Sequence, residues 1–227
     1  MIFFDIDGTL IDHKRAEYLG VSGFYSKYKE HFDIDKNLFY EEWCKISDTH
    51  FQKFLHGEVT FSQQRIDRIK DVFSLSGKSI SDEEAGEKFK AYVSLYENNL
   101  LPYDDVAPCL EMIKQHRIGI ISNGDYKQQM MKLRKISNDN LFEVVITAGE
   151  VGVAKPNVDI FKIACERANV DIKDCIYVGD DIESDMISCT RAGMMGVWIN
   201  RTKESREFMG FKTIKDLREL KSALEKR

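Results

Sequence analysis

Four short apolar runs, residues 2–6, 118–121, 144–146 and 175–178, limit what this chain can fold into. They are nearly continuous rather than alternating, as in strands covered on both faces, and a fifth run at 196–199 fits the same reading. Between them, apolar residues recur at helical spacing: Val106, Leu110 and Ile113, then more clearly Ile160, Phe161, Ala164, Cys165 and Ala168. Strands alternating with helices specify an α/β protein with a doubly wound parallel sheet. Residues 14–97 break the pattern. There Ile66, Ile69, Val72 and Phe73, then Phe89, Val93 and Tyr96, repeat at helical spacing with no strand between them, and Ser81 with Glu84 offers a capping-box start. The expected organisation is an α/β core of residues 1–13 and 98–227, with 14–97 inserted as an all-helical domain. A closing amphipathic helix is expected through Ile214, Leu217, Lys221 and Leu224, with Thr213 as its cap.

The 227 residues, 43% of them hydrophobic, suffice for one sizeable core and a smaller second unit. Thirty-three basic against 38 acidic residues give a net charge of -5, so no overall attraction to nucleic acid or anionic membranes is expected. Any phosphorylated ligand must be held by local charges or a metal. The five cysteines are scattered and form no CxxC pair, which argues against a disulfide framework or a zinc site and points to a reducing cytoplasm. No leader pattern or membrane-length apolar run is present, so a soluble protein, monomeric or homodimeric, is expected.

Chemistry concentrates where the strands end. In Phe3-Phe4-Asp5-Ile6-Asp7-Gly8-Thr9-Leu10 two carboxylates lie two residues apart at a strand end, so both should face the crevice where open α/β sheets bind ligands. An isolated Asp-Gly pair often makes nothing more than a turn. Here a second acidic cluster, Asp180, Asp181, Glu183 and Asp185, follows another apolar strand and should emerge at the same sheet edge. Alone, that cluster also reads as a loop capping the next helix. Together, converging carboxylates call for a shared proton or a cation, and a hard divalent ion suits oxygen ligands. Ser122-Asn123-Gly124 closes a third strand with a hydroxyl and backbone N–H groups suited to phosphate. Lys155 precedes Pro156, which is expected to open a helix.

FFDIDGTL, ISNG, VAKP and VGDDIESD, in this order, resemble the four motifs of the haloacid dehalogenase superfamily. The resemblance spans residues 1–13 and about 98–205, and the helical insertion is similar to that family's cap. It implies a Rossmann-like core and a Mg²⁺-dependent phosphatase acting on a small phosphorylated metabolite, a nucleotide or sugar phosphate for example. Asp5 would be the nucleophile forming an aspartyl-phosphate, Asp7 the acid–base residue, and Lys155 a catalytic cation. Thr9, Ser122, Asn123, Gly124 and Lys155 would bind the phosphoryl group. Asp5, the Asp7 carbonyl and Asp180 would hold the metal, with Asp181 or Asp185 assisting. The cap would close over the core and read the leaving alcohol, although most of its aromatic rings are expected to form its own core. An acidic residue at position 7 disfavours dehalogenation, since a departing halide needs no proton. Sugar-phosphate mutases share both aspartates and are the alternative enzyme reading; a non-catalytic binding module is the alternative outside enzymes.

Overall fold

A computed structural model describes residues 1–137, 141–201 and 211–225. The chain divides into two compact units, residues 1–12 with 101–227, and 13–100.

The first unit carries six strands among the described residues: β1 (Ile2–Phe4), β2 (Ile118–Ser122), β3 (Val144–Thr147), β4 (Ile176–Gly179), β5 (Met195–Ile199) and β6 (Lys212–Ile214). All pairings are parallel, in the order β3-β2-β1-β4-β5-β6. Helices α5 (Val106–Met112), α6 (Tyr126–Ile136), α7 (Ala148–Val151), α8 (Asp159–Ala168), α9 (Ser188–Ala192) and α10 (Leu220–Glu225) accompany it. The five helical-period residues of α8 are all buried, in one cluster with Phe3, Ile121, Tyr177 and Trp198. Central β1 pairs through Phe4 with Ile120 on one side and Val178 on the other. The carboxyl ends of β1, β2 and β4 are therefore adjacent, and Asp5, Ser122 and Asp180 leave the sheet side by side.

Several local expectations are corrected. The first strand stops at Phe4, because the Ile6 carbonyl turns back to accept from the N–H groups of Leu10 and Ile11 at 2.9 and 2.8 Å. Pro156 does not open a helix. The Asn157 side chain accepts from Asp159 N–H at 2.9 Å, so α8 starts at Asp159. Thr213 is no cap either: Val197, Trp198 and Ile199 pair with residues 212–214, and Asp216 caps the helical turn that leads into α10.

The second unit contains α1 (His13–Lys27), α2 (Lys36–Leu55), α3 (Phe61–Ser74) and α4 (Asp82–Asn98), with no strand. The Ser81–Glu84 capping box forms with both of its reciprocal bonds. Phe24, Tyr25, Phe39 and Trp43 are buried, and the Trp43 ring lies 4.6 Å from that of Tyr92. These rings form the bundle core, whereas Tyr40, Phe51 and Phe54 are half-buried. His50 is buried with Nε2 2.7 Å from Asp71, a structural pairing.

One tie holds the first loop to residues distant in sequence. Arg201 donates to the carbonyls of Gly8 and Thr9 at 3.2 and 2.7 Å and grips the buried Asp105 with two bonds of 2.9 and 3.0 Å. Its guanidinium lies over the Tyr103 ring, and Asp105 also accepts from Leu217 N–H at 2.8 Å. Removing one member leaves a buried charge without its partner. Arg201→Ala is expected to cost about 3 kcal/mol in urea unfolding; a change below about 0.5 kcal/mol would show that this tie contributes no stability.

Candidate active site

The turn after β1 brings Asp5 into a buried position, with its own N–H donating to the Val178 carbonyl at 2.9 Å. Facing it is Lys155, also buried, whose ammonium donates to Asp5 at 2.7 Å, to Asp185 at 2.6 Å and to the Tyr177 hydroxyl at 2.8 Å. Three donors meet three acceptors, so the ammonium is saturated. The lysine backbone is fixed by Asn123, whose side chain accepts from Lys155 N–H at 2.7 Å and donates to Lys155 C=O at 2.8 Å. The Tyr177 hydroxyl in turn donates a hydrogen bond to the Ile121 carbonyl at 2.8 Å.

Asp180 follows β4. Its backbone carbonyl accepts from the Trp198 indole at 2.9 Å, and its carboxylate accepts from Thr9 at 3.4 Å. Gly8 has φ +84°, and a Cβ there would lie 2.2 Å from an Asp180 oxygen, so glycine is required on both counts. The chain then enters a π-helical turn, Ile182–Ile187, which returns Asp185 to Lys155. Such widened turns often occur at functional sites.

Asp5, Asp180 and Asp185 each offer an oxygen within 4.8 Å of the other two. Burial, with the charge of Asp185, pushes Asp5 up to about 7 against the pull of Lys155. Burial and the charges of Asp185 and Asp5 likewise hold Asp180 well above the usual carboxylate range. For Lys155, burial alone would lower the pKa, but Asp185 and Asp5 outweigh it and hold the group above the ordinary lysine value. An oxygen-only donor set with unbalanced negative charge fits a hard divalent cation.

The other expected residues divide. Asp181 stands outside this group and caps the π-helical turn, accepting from Ser184 N–H at 2.6 Å. The Asp7 carboxylate does not share the Asp5 cluster, contrary to what strand periodicity suggests, because the strand has already ended. It is held instead by α6: Lys132 donates to its two oxygens at 2.6 and 2.7 Å, and Gln129 donates at 3.0 Å. Gln129 also donates to Ser122 Oγ at 2.6 Å. In Gly124 a Cβ would lie 2.5 Å from the Gln129 side chain, so that glycine makes room for it. Tyr177, Gln129, Lys132, Arg201 and Asp105 were not identified from the sequence. Only the i, i+3 spacing of Gln129 and Lys132 hinted at a shared helix face.

A buried cluster of carboxylates and lysine at the carboxyl ends of central parallel strands defines an α/β enzyme site. The haloacid dehalogenase-like hydrolase family model matches residues 1–193, and the chain belongs to that family of hydrolases. It is 27% identical to pyrimidine 5'-nucleotidase YjjG of Escherichia coli, over 88% of this chain and 85% of the relative. It is 29% identical to glyceraldehyde 3-phosphate phosphatase of Pyrococcus abyssi (89% and 82%) and 27% identical to N-acylneuraminate-9-phosphatase of Mus musculus (88% and 82%). The fold is shared with the magnesium-bound HAD-hydrolase YfnB of Bacillus subtilis, at a TM-score of 0.81 and 20% identity over 98% of this chain and 97% of that one. No described helix is long and apolar enough to cross a membrane.

The raised Asp5 pKa makes a stability prediction. Between about pH 4 and 7 the folded protein holds a proton on Asp5 that the unfolded chain, at its ordinary 3.8, releases. This group's contribution to stability therefore falls as pH rises through that window. In EDTA, the melting temperature of wild type relative to Asp5→Asn should fall between pH 4 and 7 and level off above. Parallel curves for the two proteins would refute the assignment.

Proposed function

We propose that this protein is a Mg²⁺-dependent phosphatase that hydrolyses a small phosphomonoester through an aspartyl-phosphate on Asp5. The observation that carries this reading is the grouping of the Asp5 carboxylate with Asp180 and Asp185, two of the three bound by the buried Lys155 ammonium. The matched relatives support the substrate class, since those named above are a nucleotidase and phosphatases of small metabolites.

Asp5, Asp180 and Asp185, with the Asp7 carbonyl, would hold a magnesium ion, which would supply charge neutralisation at the phosphoryl group. Asp5 attacks phosphorus, and the ester oxygen leaves with a proton from Asp7. Asp7 then takes a proton from the water that hydrolyses the phospho-enzyme, a dual role typically worth about 10²–10⁴-fold. Gln129 occupies a lone pair of Ser122 Oγ, which leaves the serine proton for a phosphoryl oxygen. Lys155 places positive charge beside the nucleophile, and its contact with Asp5 orients the attacking carboxylate. Asp181, committed to its helix turn, is left out of the proposed ligand set.

Phosphate release from a panel of phosphomonoesters, with and without Mg²⁺, tests this reading. Asp5→Asn should lower metal-dependent turnover by at least about 10⁴-fold, since it removes the nucleophilic oxygen with little change in volume. Turnover retained in that variant would exclude Asp5 as the nucleophile.

A further inference from the structure

We propose that Lys132 is the positioning residue of the acid–base carboxylate: with Gln129, it fixes Asp7 against α6, outside the Asp5, Asp180 and Asp185 group. The proposal rests on the phosphatase reading above. Lys132 and Gln129 lie one turn apart on α6, so they present their side chains on one face. Lys132 is only 3% exposed, a placement that lysine rarely adopts without a partner, and both oxygens of Asp7 meet its ammonium. Two contacts to one cation, plus the Gln129 amide on the same carboxylate, restrict rotation of the Asp7 side chain. Its side chain nevertheless keeps 29% exposure. A carboxylate held by two donors of one helix face and still partly exposed is suited to meeting a leaving oxygen at a constant angle.

The arrangement also separates like charges. Asp7 is two residues from Asp5, and a freely rotating side chain there would be available to the three-oxygen group of Asp5, Asp180 and Asp185. Lys132 supplies a competing cation on the other side. Gln129, fully buried, joins Asp7 to Ser122, so one helix face sets the acid–base group and the hydroxyl together. The close fit of Gln129 over Gly124 shows that the turn after β2 is shaped to admit this link.

Lys132 is thus expected to matter where leaving-group protonation matters. The test compares kcat/KM for p-nitrophenyl phosphate, whose leaving group needs little protonation, with that for an alkyl phosphate, whose leaving group needs much. Lys132→Met should keep the first within about threefold and lower the second about 30–100-fold, part of the gain that a positioned acid provides. Lys132→Arg, which keeps a cation, should recover part of the alkyl-ester rate. In an Asp7→Asn background, Lys132→Met should add no further loss, because the group it positions is already gone. Equal losses on both esters, or additive losses in the double variant, would overturn the proposal while leaving the phosphatase reading intact. If Lys132→Met does not fold, Lys132→Gln makes the same comparison. Wild type that releases no phosphate from either ester would overturn the reading beneath, and this assignment with it.

Discussion

The site depends on one buried ammonium. Lys155 Nζ meets Asp5, Asp185 and Tyr177, three groups from three separate segments, and all its donors are used. Gathering the buried Asp5 and Asp185 so closely with the half-buried Asp180 would be prohibitive without a cation among them. The ammonium offsets part of that charge and leaves part unbalanced, which is why burial still lifts Asp5 and Asp180 above the ordinary carboxylate range. The position of the lysine is set by the fold rather than by its flexible stem. Asn123, at the end of β2, bonds both its N–H and its C=O. Sheet order therefore becomes site geometry: β1 brings the Asp5 carboxylate, β2 the residue that anchors the lysine, and β4 leads to Asp185, the second acid it binds.

What was legible in the sequence is what leaves a local signature. Continuous apolar runs marked five of the six described strands, and each acidic or hydroxyl cluster followed one of them. The capping box at Ser81 and the apolar face of α8 were readable because their chemistry repeats within one or two turns. β6 was missed because three residues with only Ile214 buried show no apolar run; they are a strand because β5 offers an edge. The choice between Asp181 and Asp185 was equally out of reach. Both are acids after the same strand, and only the π-helical turn directs one back toward Lys155 and leaves the other as a cap. Lys132, Gln129 and Arg201 carry no local signature because the groups that define their roles, Asp7, Asp105 and the Gly8 carbonyl, lie 96 to 193 positions away.

Two aspartates separated by a single residue thus acquire different environments through two different lysines. Lys155, itself buried, binds the buried Asp5 and Asp185, whereas Lys132 binds Asp7 from a helix face and the Asp7 side chain keeps 29% exposure. Distinct environments for neighbouring carboxylates are the usual physical basis for dividing a reaction between a nucleophile and an acid–base group. The bend at Ile6 makes this possible. Had the strand continued, residues 5 and 7 would have pointed into one crevice and competed for one cation. By stopping the strand at Phe4, the fold gives a pair of like charges two different partners, Lys155 for Asp5 and Lys132 for Asp7. Arg201, bound to the carbonyls of Gly8 and Thr9, holds the loop that begins with this bend. The early end of β1, which the apolar run alone did not reveal, is therefore the local feature on which the proposed division of labour rests.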